Sequence, residues 1–147
     1  MKKLLFATLF TAGLVLGAFA QDDIKEKDVP APVQTSFKSE FPNAKDVEWK
    51  LKEGTYKVKF EVGSVDQIAS FDASGKRLSK GIKIRVSELP AAISSAVKTA
   101  YADRTVDEAY TLEKDGATQY MIKLNGSPET KLVYSADGQL IKEKKAQ

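Results

Sequence analysis

The chain has 147 residues, with 23 Lys and Arg against 20 Asp and Glu, and contains neither histidine nor cysteine. Missing histidine removes the commonest general base and metal ligand, and missing cysteine removes thiol nucleophiles, disulfides and ordinary structural zinc sites. A formal charge of +3 gives no global attraction for nucleic acid or an anionic membrane.

Lys2 and Lys3 open the chain, the apolar stretch Leu4 to Phe19 follows, and Ala18-Phe19-Ala20 offers the small residues a signal peptidase reads. Residues 1–20 are therefore expected to be a cleaved signal peptide, too short and glycine-interrupted for a membrane anchor. No cysteine is present to carry a lipid. The mature chain is expected to begin near Gln21, to be periplasmic or secreted and soluble, with no stable membrane insertion. Without Lys2 and Lys3 the formal charge drops from +3 to +1, so any electrostatic function must be local. The charged residues 21–28 read as a linker.

Val29, Val33, Phe37 and Phe41 recur at four-residue steps, and so do Leu89, Ile93, Val97 and Tyr101 sixty residues later. Each series lays one apolar stripe along a helix of about three turns. Prolines stand near both starts, and Pro42 stops the first helix. Val47, Trp49 and Leu51 then alternate with charged residues, Glu53-Gly54 turns the chain, and Tyr56, Val58, Phe60 and Val62 alternate with Lys57, Lys59 and Glu61. That is a hairpin with one apolar and one wet face. The second copy offers Tyr110 and Leu112, a turn at Asp115-Gly116, then Tyr120, Ile122 and Leu124 alternating with Met121 and Lys123.

A third strand ends at Phe71 in one copy and at Tyr134 in the other, each followed by a glycine-bearing turn. Leu78, Ile82, Ile84 and Val86 share a parity and predict a fourth strand. The last one, around Leu140-Ile141, dissolves into Lys142 to Gln147. The pattern is an α+β fold of two tandem helix-plus-four-strand repeats, residues 29–86 and 87–147, with antiparallel sheet or sheets and both helices on one face. Two beads joined near Ser87 are the alternative.

Phe37-x3-Phe41-Pro42-Asn43-Ala44, Val47-Glu48-Trp49, Tyr56-x-Val58-x-Phe60 and Phe71-Asp72-x2-Gly75-Lys76 resemble the PepSY-like, or beta-lactamase-inhibitor-like, family of exported bacterial proteins. The second copy repeats the motifs more weakly at Leu89-Pro90, Tyr101, Tyr134 and Asp137-Gly138. The resemblance implies a periplasmic protein with no catalytic motif and no cofactor. It also implies a fold whose better-understood relatives bind and inhibit enzymes, peptidases among the suspected targets, with an open sheet face.

Lys50, Lys52, Lys57 and Lys59 fall on the wet parity of adjacent strands and form a candidate docking surface for an acidic envelope partner. Solvated strand faces commonly carry lysine, which is the competing explanation. Trp49 shares the core parity. Tyr110, Tyr120 and Met121 are candidates to line a cleft between the repeats, as a small-ligand or peptide carrier would need. Asp72 and Asp137 sit beside turn glycines, where their side chains bond the turn's own backbone; the spaced ligands of a calcium loop are missing. Ser95 and Lys98 match a bare Ser-x-x-Lys spacing without the other elements of such serine enzymes. A carboxylate-based hydrolase would need two acids roughly 5–10 Å apart, and no such pair is legible.

Overall fold

The structure, a computed structural model, describes residues 22–146, and the leader expected over residues 1–20 lies outside them. Nine strands form one antiparallel sheet in which every strand pairs with the next. They are β1 (Asp22–Ile24), β2 (Lys45–Lys52), β3 (Thr55–Val62), β4 (Val65–Phe71), β5 (Arg77–Ile84), β6 (Val106–Lys114), β7 (Ala117–Leu124), β8 (Thr130–Ser135) and β9 (Leu140–Lys145). Helix α1 (Ala31–Glu40) precedes β2 and α2 (Ala91–Ala100) lies between β5 and β6. The order of one helix and four strands thus occurs twice. β5 pairs with β6 from Ser79↔Lys114 to Ile84↔Ala109, so the two units share a sheet and are not separate beads.

The helices form where the four-residue stripes demand them. Each follows a proline in extended conformation, and each ends where the N–H of Phe41 or Tyr101 reaches back 2.8 Å to the carbonyl of Phe37 or Val97. Val33 and Phe37 of α1 are buried against Trp49, Val58, Phe60, Ala69 and Phe71. Phe37 meets Trp49 and Phe60 edge-on, each at 5.1 Å between ring centroids, the geometry aromatic quadrupoles favour. Ile93 and Val97 of α2 cover a second core of Ala109, Ile122, Leu124, Leu132 and Tyr134. The register runs Gln67↔Ile82↔Thr111, which carries the parity of Ala69 and Phe71 across to that of Ala109. Both helices therefore lie on one face, and among the described residues no helix covers the other.

Three elements differ from the sequence reading. Asp22–Ile24, expected within a linker, pairs with β2, because Ile24 sits opposite Trp49 and packs on the first core. The final strand runs through Lys145, held by the Thr130↔Lys145 to Tyr134↔Leu140 ladder; a lysine-rich sequence suits an outermost strand. In β6, Tyr110 and Leu112, read as the apolar parity of the second hairpin, face the helix-free side. Ala109 is the residue opposite Ile122, a small side chain beneath α2.

The sheet is strongly curled toward its helix-free face. Lys52 on β2 and Lys144 on β9 are seven strand spacings apart, about 34 Å across a flat sheet. Nonetheless Lys52 is the first cause that lowers the pKa of Lys144, so the two side chains approach each other on this face. The accumulated twist of the strands and a glycine at the centre permit this. A Cβ on Gly81 would lie 2.7 Å from the Thr111 carbonyl, 2.8 Å from Leu112 Cδ2 and 2.9 Å from Ile68 Cγ1. Its missing side chain lets the flanking strands close over β5.

Candidate functional site

The helix-free face is concave, and its floor is apolar. Cross-strand register sets Ile68, Gly81 and Leu112 in one row and Tyr110, Met121 and Val133 in the next. Ile68, Leu112, Met121 and Val133 are half-buried, while Tyr110 is only 4% exposed although no helix covers it. Burial pushes its phenol above the usual tyrosine range. Met121 is its direct cross-strand neighbour, as the cleft expectation required, but Tyr120 pairs with Tyr134 on the opposite face and packs on the second core. The three candidate cleft residues are therefore split between two faces of the sheet. The alternation of Tyr120, Met121 and Ile122 dictates this separation.

Lys50, Lys52, Lys57 and Lys59 do share the helix-free face, with Lys50 opposite Lys57 and Lys59 opposite Glu48. They divide into two groups. Lys50 pairs with Asp23 at 3.4 Å, and Lys59 with Asp66 at 3.9 Å. Lys59 borders a shallow hollow of about 140 Å³ lined by Asp46, Glu48, Glu61 and Asp66. Lys52 and Lys57 make no salt bridge among the described residues. Lys57 has its pKa lowered, first by burial and then by repulsion from Lys52, Lys142 and Lys131. Lys144 is pushed down to about 8 by Lys52 above all, then by its own burial and by Lys57 and Lys131. Lysines of β2, β3, β8 and β9 thus act on one another across this face. The sequence shows Lys131, Lys142 and Lys144 on one parity, but only the curl brings them to Lys52 and Lys57.

A second charged group fastens the two units together on this face. Lys83 Nζ donates to Glu108 Oε1 at 2.9 Å and to Asp66 Oδ2 at 3.4 Å. The bond to Glu108 holds the lysine above its ordinary pKa and the glutamate below its own. Beside it, a hollow of about 550 Å³ opens at the junction of the units, lined by Val65, Ile84, Val86, Asp107 and other residues.

Trp49 is in the core, 4% exposed, its Nε1 buried with no hydrogen-bond partner. Asp72 serves its turn: Oδ1 accepts from Ser74 N at 2.9 Å and Lys76 N at 3.0 Å, and bonds from Ser74 and Lys76 lower its pKa. In the second unit Ser135 does this work, its Oγ accepting from Gln139 N at 3.1 Å and donating to Asp137. Ser95 is exposed on the surface of α2. Among the described residues, no group of three acidic side chains is placed to hold a metal ion, and no helix is long and apolar enough to cross a membrane.

Comparison with known proteins agrees with this architecture. No curated protein matches the chain. Among solved structures, a DUF2874 family protein from Bacteroides ovatus is 23% identical over 79% of this chain and 86% of its own, with a TM-score of 0.61. A BLIP-like protein from Bacteroides fragilis is 24% identical over 80% of this chain and 86% of its own, with a TM-score of 0.57. A protein from Bacteroides eggerthii that carries a periplasmic description is 17% identical over 80% and 88%, with a TM-score of 0.65. These similarities concern the fold. The PepSY-like, beta-lactamase-inhibitor-like family model matches twice, over residues 19–78 and 54–142, and the chain belongs to that family.

Proposed function

We propose that this protein is a non-catalytic periplasmic binding module that docks another envelope protein on its helix-free sheet face. In this reading the two helix-and-four-strand units are copies of one unit, joined so that their open faces form one concave surface. The observation that carries the reading is the apolar floor of Ile68, Leu112, Tyr110, Met121 and Val133, bordered by lysines on a face no helix covers. An apolar centre with a charged rim is the anatomy of a protein-protein interface, and tyrosine is among the residues that anchor one. The absence of histidine and cysteine leaves few routes to catalysis, which supports binding as the mode of action. The expected signal peptide and the periplasmic description of a structural neighbour support the location. A peptidase of the envelope is a partner class consistent with the family resemblance.

Cross-linking the tagged protein in its own cell envelope, followed by mass spectrometry, tests this. One stoichiometric partner is expected, and reversing the charge of Lys50, Lys52, Lys57 and Lys59 together should abolish its capture. Equal capture by the folded variant would overturn the assignment of the face.

A further inference from the structure

The hollow of about 550 Å³ at the junction of the units is apolar and charged at once. Val65 and Val86 border it while 41% and 43% exposed, and half-buried Ile84 lies between them. Its volume is that of a pocket for a small ligand or a few residues of a peptide. Neither unit makes it alone, since Val65 and Asp66 come from β4 and Asp107 and Glu108 from β6. Its charged lining sets four carboxylates, Asp66, Glu88, Asp107 and Glu108, against two cations, Lys83 and Arg85. Half-buried Lys83 answers Asp66 at 3.4 Å and Glu108 at 2.9 Å. Exposed Glu88 and Asp107 are answered less well. Glu88 accepts from the backbone N–H of Arg85 at 2.7 Å, and Lys123 stands 4.0 Å from Asp107 while also drawn to Glu129 at 3.8 Å.

We propose that the junction hollow receives an arginine side chain of a partner polypeptide, together with an apolar neighbour of that arginine. The exposed valines favour an occupant with hydrocarbon to bury, and the excess of carboxylate selects a cation over an anion. An arginine satisfies both demands. Its methylene stem lies along Val65, Ile84 and Val86, as long basic side chains lie on apolar surface, and its head meets Glu88 and Asp107. Arginine is favoured over lysine because its planar fork grips a carboxylate with two bonds and is more weakly hydrated than an ammonium. A metal ion would leave the valines uncovered, and among the described residues no three acidic groups are placed to hold one. An anionic ligand would find Lys83 already engaged and Arg85 alone to answer it. This site goes beyond the docking of a partner on the lysine-bordered floor, because it selects the opposite charge and exists only where the two units join.

Titrating the blocked tripeptide leucyl-arginyl-leucine into the purified protein, followed by amide NMR shifts, tests the site. Saturable shifts are expected at Val65, Ile84 and Glu108. The matching leucyl-glutamyl-leucine peptide should bind about tenfold more weakly, the loss of one charge-assisted contact. That comparison uses the unaltered protein, so no folding defect can imitate it. Asp107→Lys should weaken the arginine peptide by about the same factor, whereas Asp103→Lys, an equal charge change at an exposed residue outside the hollow, should leave it unchanged. Val86→Ser should weaken both peptides alike, because it removes apolar contact and no charge. No saturable shift at these amides overturns the site. Equal affinity for the two peptides, or tighter binding of the glutamyl peptide, overturns the choice of a cation. Equal loss in Asp107→Lys and Asp103→Lys would show attraction to net charge alone and overturn it as well. A failed titration with envelope capture intact would sink this site and leave the docking reading standing.

Discussion

Glycine marks the residues at which the backbone decides. Gly75 and Gly138 occupy the same turn in the two units, both with φ near +90°, and both lie against the first turn of a helix. A Cβ on Gly75 would sit 2.5 Å from the Pro32 carbonyl oxygen, while one on Gly116, at φ +75°, would meet nothing within 4 Å. The two positions separate conformational strain from collision. Gly116→Ala is expected to cost about 1–2 kcal/mol, the penalty of a left-handed residue. Gly75→Ala should cost clearly more, since backbone atoms of α1 must move as well, and urea unfolding of both variants measures the difference. Equal costs would mean that α1 is not seated on this turn. The first of these turns was legible in the sequence because Asp-x-x-Gly states its own chemistry locally, and Asp72 behaves as that motif requires, whereas in the second Ser135 takes the role expected of Asp137. The burial of Trp49 was legible for a similar reason, from its parity between Val47 and Leu51.

At the scale of elements, legibility depended on whether one face alone was apolar. β2 and β3 alternate cleanly between core and lysine from Glu48 onward, and their register there followed, although β2 too carries a bulge between Lys45 and Glu48. β6 does not alternate cleanly: Ala109, Tyr110 and Leu112 are all apolar, and the larger pair points away from the core. A bulge between Val106 and Glu108 shifts the register just before them. Periodicity assigns the bulkier residues to the core by default, and here the helix-free face claims them. The same strand supplies Glu108, whose bond to Lys83 joins it to β5, with Asp66 on β4 as the second acceptor. The side chains of Lys83 and Glu108 are 36% and 24% exposed, so solvent screens the pair and it is worth no more than about 1 kcal/mol. Lys83→Met should destabilise by that amount near neutral pH and leave Asp66 and Glu108 to repel each other. Because the pair lowers Glu108's pKa from 4.5, its contribution is present above that value and is lost as pH falls below it. The wild type and variant should therefore converge in stability in acid, and a difference that persists there would show that the lysine acts through packing alone.

For the whole molecule, what the sequence could not show is the curl. Parity places Lys52, Lys57, Lys131, Lys142 and Lys144 on one face of a sheet, but nothing local states that strands seven spacings apart will meet. That outcome accumulates from the twist of each strand and from Gly81 at the centre. It leaves a signature in the dependence of stability on pH. Lys144 titrates at about 8 in the folded protein against 10.5 as an ordinary lysine, held down by Lys52, its own burial, Lys57 and Lys131. Between those values the unfolded chain holds more protons than the folded one, so stability must rise with pH. Below about 8 both states are protonated and the full repulsion remains. Tyrosines act in the opposite sense. Tyr101 is raised to about 12, chiefly by its bond to Glu143, and Tyr110 and Tyr134 are raised first by burial. From about 10 upward the folded state keeps phenolic protons that the unfolded state has lost, and stability falls. Urea midpoints should thus climb from about pH 8, pass a maximum near pH 10 and decline beyond it. Lys144→Met should flatten the rising limb and spare the falling one. A rising limb of equal height in that variant would mean that β9 does not approach β2 in solution, and the curled face would have to be redrawn as an open one.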